Sequence, residues 1–170
     1  DVRALAEATA VLVEKRLSSV YYYDICDDGV ASFQCDNFDH RDELAWGIDL
    51  VCEETSVGFT WVWHNYEYGI GVFPGGVRQT LKHGANRIDQ SSSPRWQPYL
   101  SHTIERLVFS KGTRAHEDVP VCDCRVEFKD ASPIWICARQ ANSGCNANGD
   151  DCVIVFTEHE AALLGIDTKS

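Results

Sequence analysis

Histidines are the residues of this sequence best suited to acid–base chemistry or metal binding near neutral pH. Six of them occur, at positions 40, 64, 83, 102, 116 and 159. A small secreted nuclease or other hydrolase could use His64, His102 and Glu105 for proton transfer. Arg87 or Arg106 would then hold the phosphate of the substrate. No stretch carries a catalytic signature, so we expect a protein that is not an enzyme and keep the hydrolase as the alternative.

Two local motifs resemble metal sites, but each has an unsuitable residue at a position that must supply a ligand. His116-Glu117 begins like the helix of a zinc protease, but Pro120 takes the place of the second histidine and would break that helix. If Gly149 is set at the sixth position of a calcium loop, the twelfth position falls on Val155, which has no side-chain oxygen. We therefore expect neither a metal ion nor another cofactor.

The cysteines favour disulfides over metal ligands, because no two of them form a CxxC pair. They stand at Cys26, Cys35, Cys52, Cys122, Cys124, Cys137, Cys145 and Cys152. An even number predicts four disulfides and hence an oxidising compartment, reached by secretion with removal of a signal peptide. Cys26 with Cys35, and Cys145 with Cys152, would each close a short polar loop. The remaining pairings stay open, since eight cysteines allow about 105 of them.

Cys52 is the exception for which the sequence indicates a partner. It shares an apolar stripe with Leu44 and Ile48 on a predicted helix over residues 40–54. Cys122 and Cys124 lie on one face of a predicted strand, because side chains two residues apart point the same way. We expect the two apolar faces to meet and Cys52 to be bonded to Cys122 or Cys124.

The net charge of -11 argues against nucleic acid as a partner. Residues 77–114 depart from this balance, with seven Lys and Arg against two acidic residues. Such a basic segment predicts a surface for an anionic partner: an acidic polysaccharide, a phospholipid headgroup or an acidic patch of a protein. The candidate surface is Arg78, Lys82, Arg87, Arg95 and Trp96. The alternative is that these cations pair with acidic residues elsewhere in the chain.

A second candidate surface is aromatic. Trp61, Trp63, Tyr66 and Tyr68 recur at alternate positions of two predicted strands. Exposed aromatic rings in such a ribbon could stack on sugar rings, whereas buried ones would be core.

Hydrophobic periodicity predicts the elements that position these residues. Helices are expected at 2–17, at 40–54, from Pro98 to about 111 and after Thr157, which forms a capping box with Glu160. Strands are expected at 20–26, in two runs between 58 and 73, and at 119–128, 133–139 and 152–156, with a long surface connection at 78–98. The length predicts a single domain, 1–170, and no apolar run is long enough to cross a membrane. The fold class is α+β: a mostly antiparallel sheet of four or more strands, packed against three to four helices and stabilised by disulfides.

This format resembles secreted, cysteine-rich effectors of plant-pathogenic fungi. Within that group the chain is most similar to the LARS family, named for Leptosphaeria avirulence and suppressing effectors. The resemblance covers length, the eight cysteines, and helices interleaved with strands that end in 133–139 and 152–156. Arg95-Trp96 partly matches a stretch with Trp and Arg in that family.

The resemblance implies a four-stranded antiparallel sheet on helices and a non-enzymatic role in virulence and avirulence. Its implied partners are a host protein or an anionic surface component and a plant immune receptor. Its implied location is the apoplast, with translocation into host cells as a further possibility. A killer-toxin-like protein is the alternative in another secreted class.

Overall fold

The protein, described from a computed structural model, is built mainly of β-strands. The described residues are 2–25, 40–64, 67–81, 85–111, 121–139 and 151–168. In chain order the elements are α1 (Val2–Leu12), β1 (Leu17–Ile25), β2 (Arg41–Leu44), β3 (Gly47–Cys52), β4 (Thr55–His64), β5 (Glu67–Pro74), a 3-10 turn (Val77–Thr80), β6 (Ala85–Asp89), β7 (Ile104–Lys111), β8 (Val121–Phe128), β9 (Ile134–Arg139), β10 (Asp151–Val155) and α2 (Glu158–Leu163).

The described strands form two antiparallel sheets that pack face to face. Sheet 1 has the order β5-β4-β3-β1-β6, and sheet 2 has the order β2-β10-β9-β8-β7. β2 and β3 follow each other in the chain but belong to different sheets, so the bend at Ala45 and Trp46 joins the two. The main core takes buried side chains from both sheets and from α1. The architecture is therefore a β-sandwich, in which each sheet has an inner face toward the core and an outer face.

The expected α+β fold, with helices covering one sheet, is wrong. The described residues hold two α-helices, of eleven and six residues. The apolar faces of the two sheets cover each other, which leaves the helices a minor part of the burial. α1 packs beside β4 and β5, and α2 covers a small cluster on the outer face of sheet 2.

The helix predicted at 40–54 is replaced by β2 and β3. Leu44, Ile48 and Cys52 have the i, i+4, i+8 spacing of a helix, but this spacing is also a multiple of two. Leu50 completes the strand pattern, because Ile48, Leu50 and Cys52 are all buried in the core. Gly47 fits a strand that passes close to its neighbour: a Cβ there would lie 2.3 Å from the carbonyl oxygen of Phe59.

The helix predicted from Pro98 is replaced by a turn-rich segment and β7. Ile104 and Leu107 are three residues apart and both buried, which is a helical spacing. They share one face of a strand because the β7–β8 register shifts between Ile104 and Arg106. Such a bulge adds one residue to one strand and so disguises the period of two. The connection predicted at 78–98 also contains β6 and the fully buried Trp96.

The other elements are confirmed with small changes of boundary. The N-terminal helix ends at Leu12 instead of Leu17, which begins β1. The strands expected at 20–26, 58–73, 119–128, 133–139 and 152–156 appear as β1, β4 with β5, β8, β9 and β10. The Thr157 hydroxyl caps α2 by accepting a hydrogen bond from the backbone N–H of Glu160 (3.2 Å).

The expectation of a disulfide-stabilised fold is also wrong for the described cysteines. All five are buried thiols: Cys52, Cys122, Cys124, Cys137 and Cys152. In the strand registers, Cys52 lies opposite Leu17, Cys124 opposite Ile136 and Cys152 opposite Ala138, so none of these three faces another cysteine. The predicted bond from Cys52 to Cys122 or Cys124 is therefore absent. Cys26, Cys35 and Cys145 lie outside the described residues, and so do the two predicted short loops.

Candidate binding surface

Trp96, a member of the predicted binding surface, lies in the core. The indole is fully buried, and its N–H donates to the hydroxyl of Tyr22 (2.6 Å). The Tyr22 hydroxyl in turn donates to the carboxylate of Asp42 (2.6 Å). Edge-to-face contacts with Tyr22 and Phe156, at ring distances of 6.2 and 5.3 Å, complete the packing. Trp96 therefore anchors the segment between β6 and β7 and offers no contact area to a partner.

Arg95 completes the same network. Its guanidinium forms an ion pair with Asp42 and donates to the backbone carbonyl of Arg41 (2.7 Å). Asp42 has a side chain only 3% exposed, and a carboxylate so buried is stabilised by a charge partner. The Arg95 charge thus helps to hold the segment between β6 and β7 against β2.

Arg87 has the opposite environment, because it is exposed on the outer face of sheet 1. The register of β1 and β6 sets Tyr23 opposite Arg87 and Tyr21 opposite Asp89. The guanidinium carbon of Arg87 lies 3.4 Å from the centre of the Tyr21 ring. Stacking of this kind orders the side chain. Arg87 also lies near Asp49 and Asp89, and its charge acts to lower the pKa of both carboxyl groups. Its exposed side leaves guanidinium N–H groups for an anion.

A buried carboxylate lies beneath this stacked pair. Asp49 accepts hydrogen bonds from the Tyr23 hydroxyl (2.7 Å) and from the backbone N–H of Val77 (2.7 Å). Burial raises the pKa of Asp49 above its ordinary value, although both hydrogen bonds and nearby Arg87 act to lower it. Burial, followed by the hydrogen bond to Asp49, raises the pKa of Tyr23, so the phenol remains a donor.

Asp49 also places the second exposed arginine. Its contact with Val77 holds the 3-10 turn on the outer face of sheet 1, and the next residue, Arg78, is exposed. The chain enters this turn through Gly76 at φ 100°, where a Cβ would lie 2.7 Å from Asp49 Oδ2. Glycine is required there for both reasons. We define the basic surface as Arg78, Arg87 and Tyr21.

Two described cations of the predicted basic segment lie away from this surface. Arg95 is half-buried and paired with Asp42, as described. Arg106 lies on sheet 2 and donates to Glu127 (2.8 Å). Lys82 lies outside the described residues. Of the five residues predicted to bind a partner, Arg78 and Arg87 thus lie on the outer face of sheet 1, and Arg95 and Trp96 belong to a separate network.

The alternative catalytic set is not assembled. The His102 carbonyl accepts a hydrogen bond from the Leu17 N–H (3.0 Å) at the start of β1, the end of sheet 1 where β4 also begins. His64 ends β4, a strand of ten residues, and so lies about 30 Å away at about 3.3 Å per residue. Glu105 is exposed on β7 of sheet 2. His64 is too far from His102 for shared proton transfer.

Within the described ranges, no three His, Cys, Asp or Glu side chains are grouped so as to hold a metal ion. Neither described helix has the length and apolar content needed to cross a bilayer.

Comparison with known proteins finds no matching family model, no matching curated protein and no matching solved structure.

Sequence reasoning missed Tyr21, Tyr23 and Asp49. A signal for Asp49 was present, since it is the one charged residue in the apolar run Gly47–Cys52. A lone acid in a buried strand needs hydrogen-bond donors. The Tyr21-Tyr22-Tyr23 run supplies them on alternate faces: Tyr22 serves Asp42 within the core, and Tyr23 serves Asp49 on the outer face.

Proposed function

We propose that the protein is a secreted, non-enzymatic effector that acts by binding an acidic patch of a host protein through the basic surface. The observation that carries the proposal is exposed Arg87 stacked on Tyr21, with exposed Arg78 on the same outer face of sheet 1. An arginine already held on an aromatic ring loses less conformational freedom on binding than a free side chain does. The resemblance to the LARS family supports the effector role and recognition by a plant immune receptor.

The composition of the basic surface favours a protein over other anionic partners. Arg and Tyr are the residues most enriched at the energetic centres of protein interfaces. Binding of an anionic membrane commonly uses a cluster of about four to eight basic residues, whereas the described basic surface has two. A chain with net charge -11 repels acidic partners elsewhere, so this surface would also fix the orientation of the complex.

Charge reversal tests the proposed function. The variant combines Arg78→Glu with Arg87→Glu, and Lys129→Glu, an exposed residue of the β8–β9 turn, is the matched control on the other sheet. Each protein is used to capture host proteins from a plant extract at rising salt. We expect wild type and control to retain a shared host protein, with binding that weakens as salt rises, and the double variant to lose it. Equal capture by all three would place the docking surface elsewhere.

A further inference from the structure

A cluster of aromatic rings lies at the free end of the β4–β5 hairpin and continues the inner face of sheet 1. The Trp63 and Tyr68 ring centres are 4.5 Å apart, those of Trp61 and Tyr68 are 5.9 Å apart, and those of Trp46 and Trp61 are 5.3 Å apart. All three pairs meet edge to face, an arrangement that aromatic quadrupoles favour. We call these four residues the aromatic cluster.

The strands continue the inner face of sheet 1 into this cluster. Phe59 is buried in the core, Trp61 is half-buried, and Trp63 is 55% exposed. These residues alternate along β4 and so share one face. Tyr68 lies directly opposite Trp63 in the β4–β5 ladder. The inner face therefore extends beyond the core and carries its rings into solvent on a paired, regular hairpin.

The inner part of the cluster is fixed and the outer part is open. The Trp61 indole N–H donates to the carbonyl of Ala45 (3.0 Å), and the Trp46 N–H approaches the Thr80 hydroxyl (3.4 Å). Within the described part of the chain, the Trp63 N–H has no such acceptor. Trp63 thus offers a ring surface and one hydrogen-bond donor, both on a rigid support.

Exposure of Trp63 differs from that of a scattered surface apolar residue. Among the described residues, Trp63 and Leu163 are the two large hydrophobic side chains that are exposed. Leu163 is the last residue of α2, where a single exposed apolar group is ordinary. Trp63 instead continues a contiguous group of rings, and exposed apolar groups that are contiguous mark binding sites.

The charge of the hairpin indicates the chemistry of the ligand. Residues 58–76 contain one charged residue, Glu67, in a chain of which 24% is charged. A nearly neutral aromatic surface gives an ionic partner little to pair with, and it suits a ligand with uncharged apolar faces and a polar rim. A pyranose ring has this form, with C–H groups on its faces and hydroxyls around its edge.

From these contacts and this charge pattern, we propose that the aromatic cluster is a binding site for a neutral polysaccharide chain. One sugar ring stacks on Trp63, and a sugar hydroxyl accepts a hydrogen bond from the Trp63 N–H. The edge of Tyr68 bounds the site on the side of β5. The site does not depend on the basic surface, which lies on the outer face of sheet 1.

The test measures binding of the whole protein to soluble neutral hexasaccharides of β-linked glucose and of β-linked N-acetylglucosamine. Titration calorimetry is run with wild type, Trp63→Ala and Leu163→Ala, the last being the matched removal of an exposed apolar side chain on α2. We expect wild type and Leu163→Ala to bind at least one sugar equally. Trp63→Ala should lose affinity by about tenfold or more, as removal of a central aromatic contact does.

Three results would overturn this site. The first is no binding of either sugar by wild type, and the second is equal binding by Trp63→Ala. The third is sedimentation showing that wild type self-associates through Trp63 while no sugar binds, which would make a second copy of the chain the occupant. Charge reversal at Arg78 and Arg87 should leave sugar affinity unchanged, so failure of the proposed effector function and failure of this site can be told apart.

Discussion

The outer faces of the two sheets use arginine in opposite ways. On sheet 1, Arg87 is exposed and rests on Tyr21. On sheet 2, Arg139 is buried and its guanidinium lies 2.7 Å from the Asp123 carboxylate, while Arg125 donates to the carbonyl of Thr168 (2.8 Å). The difference lies in what covers each face, because α2 and the residues after it pack on sheet 2. A covered cation stabilises the fold, whereas Arg87 on the uncovered face stays exposed to solvent.

Removal of a covered cation should have the largest effect on stability. Arg139→Ala would leave Asp123 buried without its ion partner, and loss of one member of a buried pair costs about 3 to 5 kcal/mol. Arg78→Ala is the matched change on the exposed surface and should alter the free energy of unfolding by no more than about 0.5 kcal/mol. Denaturant unfolding checks both. Similar small losses of unfolding free energy in the two variants would contradict the proposed difference between the two faces.

The buried network behind Arg95 should show the next largest effect. Tyr22→Phe removes the hydroxyl that accepts from Trp96 and donates to Asp42. A buried donor left without a partner costs about 1 to 3 kcal/mol. Tyr21→Phe, one residue away on the outer face, keeps the ring beneath Arg87 and should leave thermal stability nearly unchanged. Equal midpoints for the two variants would contradict the structural role of the network.

The packing of α2 and the residues after it on sheet 2, here called the cover, can be tested through Cys137. This thiol lies on the outer face of sheet 2 in a cluster with Ile166, and burial raises its pKa, which suppresses reaction. Ile166→Ala should weaken the cover and speed alkylation of Cys137 several-fold, with no comparable change at Cys124 inside the sandwich. Mass spectrometry after timed alkylation measures both rates. Parallel acceleration at both cysteines would mean that global unfolding, and not the cover, controls access.

The smallest effect concerns pH and Asp49. Its pKa in the folded state is raised from an ordinary value of 3.8, so the folded protein binds this proton more tightly than the unfolded chain does. The stabilisation is complete below about pH 3.8 and is lost as pH rises through the raised pKa. We expect the stability of wild type relative to Asp49→Asn to fall over that window and then level off. Unfolding curves measured between acid and neutral pH check the trend, and a relative stability that rises with pH would reverse the sign.

Sequence patterns were sufficient where a strand alternates, as in β8, or forms a continuous apolar run, as in β9 and β10. It failed where two periods coincide: Leu44, Ile48 and Cys52 fit both a helix and a strand, and the bulge after Ile104 produces a helical spacing within β7. Residue-level reasoning cannot resolve such cases, because the choice depends on which distant strand pairs with the segment.

The sequence predicted the charge of the candidate surface but not its geometry. Arg78 and Arg87, two of the cations in 77–114, are both exposed. Trp96 could not be assigned to the core from its neighbours, since its hydrogen-bond partner Tyr22 lies 74 positions away in the chain. The same long-range dependence hid Asp49, whose donors come from β1 and the 3-10 turn.

We propose the basic surface on sheet 1 as the binding site for an acidic protein partner. The most direct measurement is the affinity of the intact protein for a synthetic polyglutamate peptide at several salt concentrations. We expect Arg78→Glu with Arg87→Glu to weaken binding by about tenfold or more and to flatten its salt dependence, and Lys129→Glu to match wild type. Equal affinity and equal salt dependence in all three proteins would contradict it.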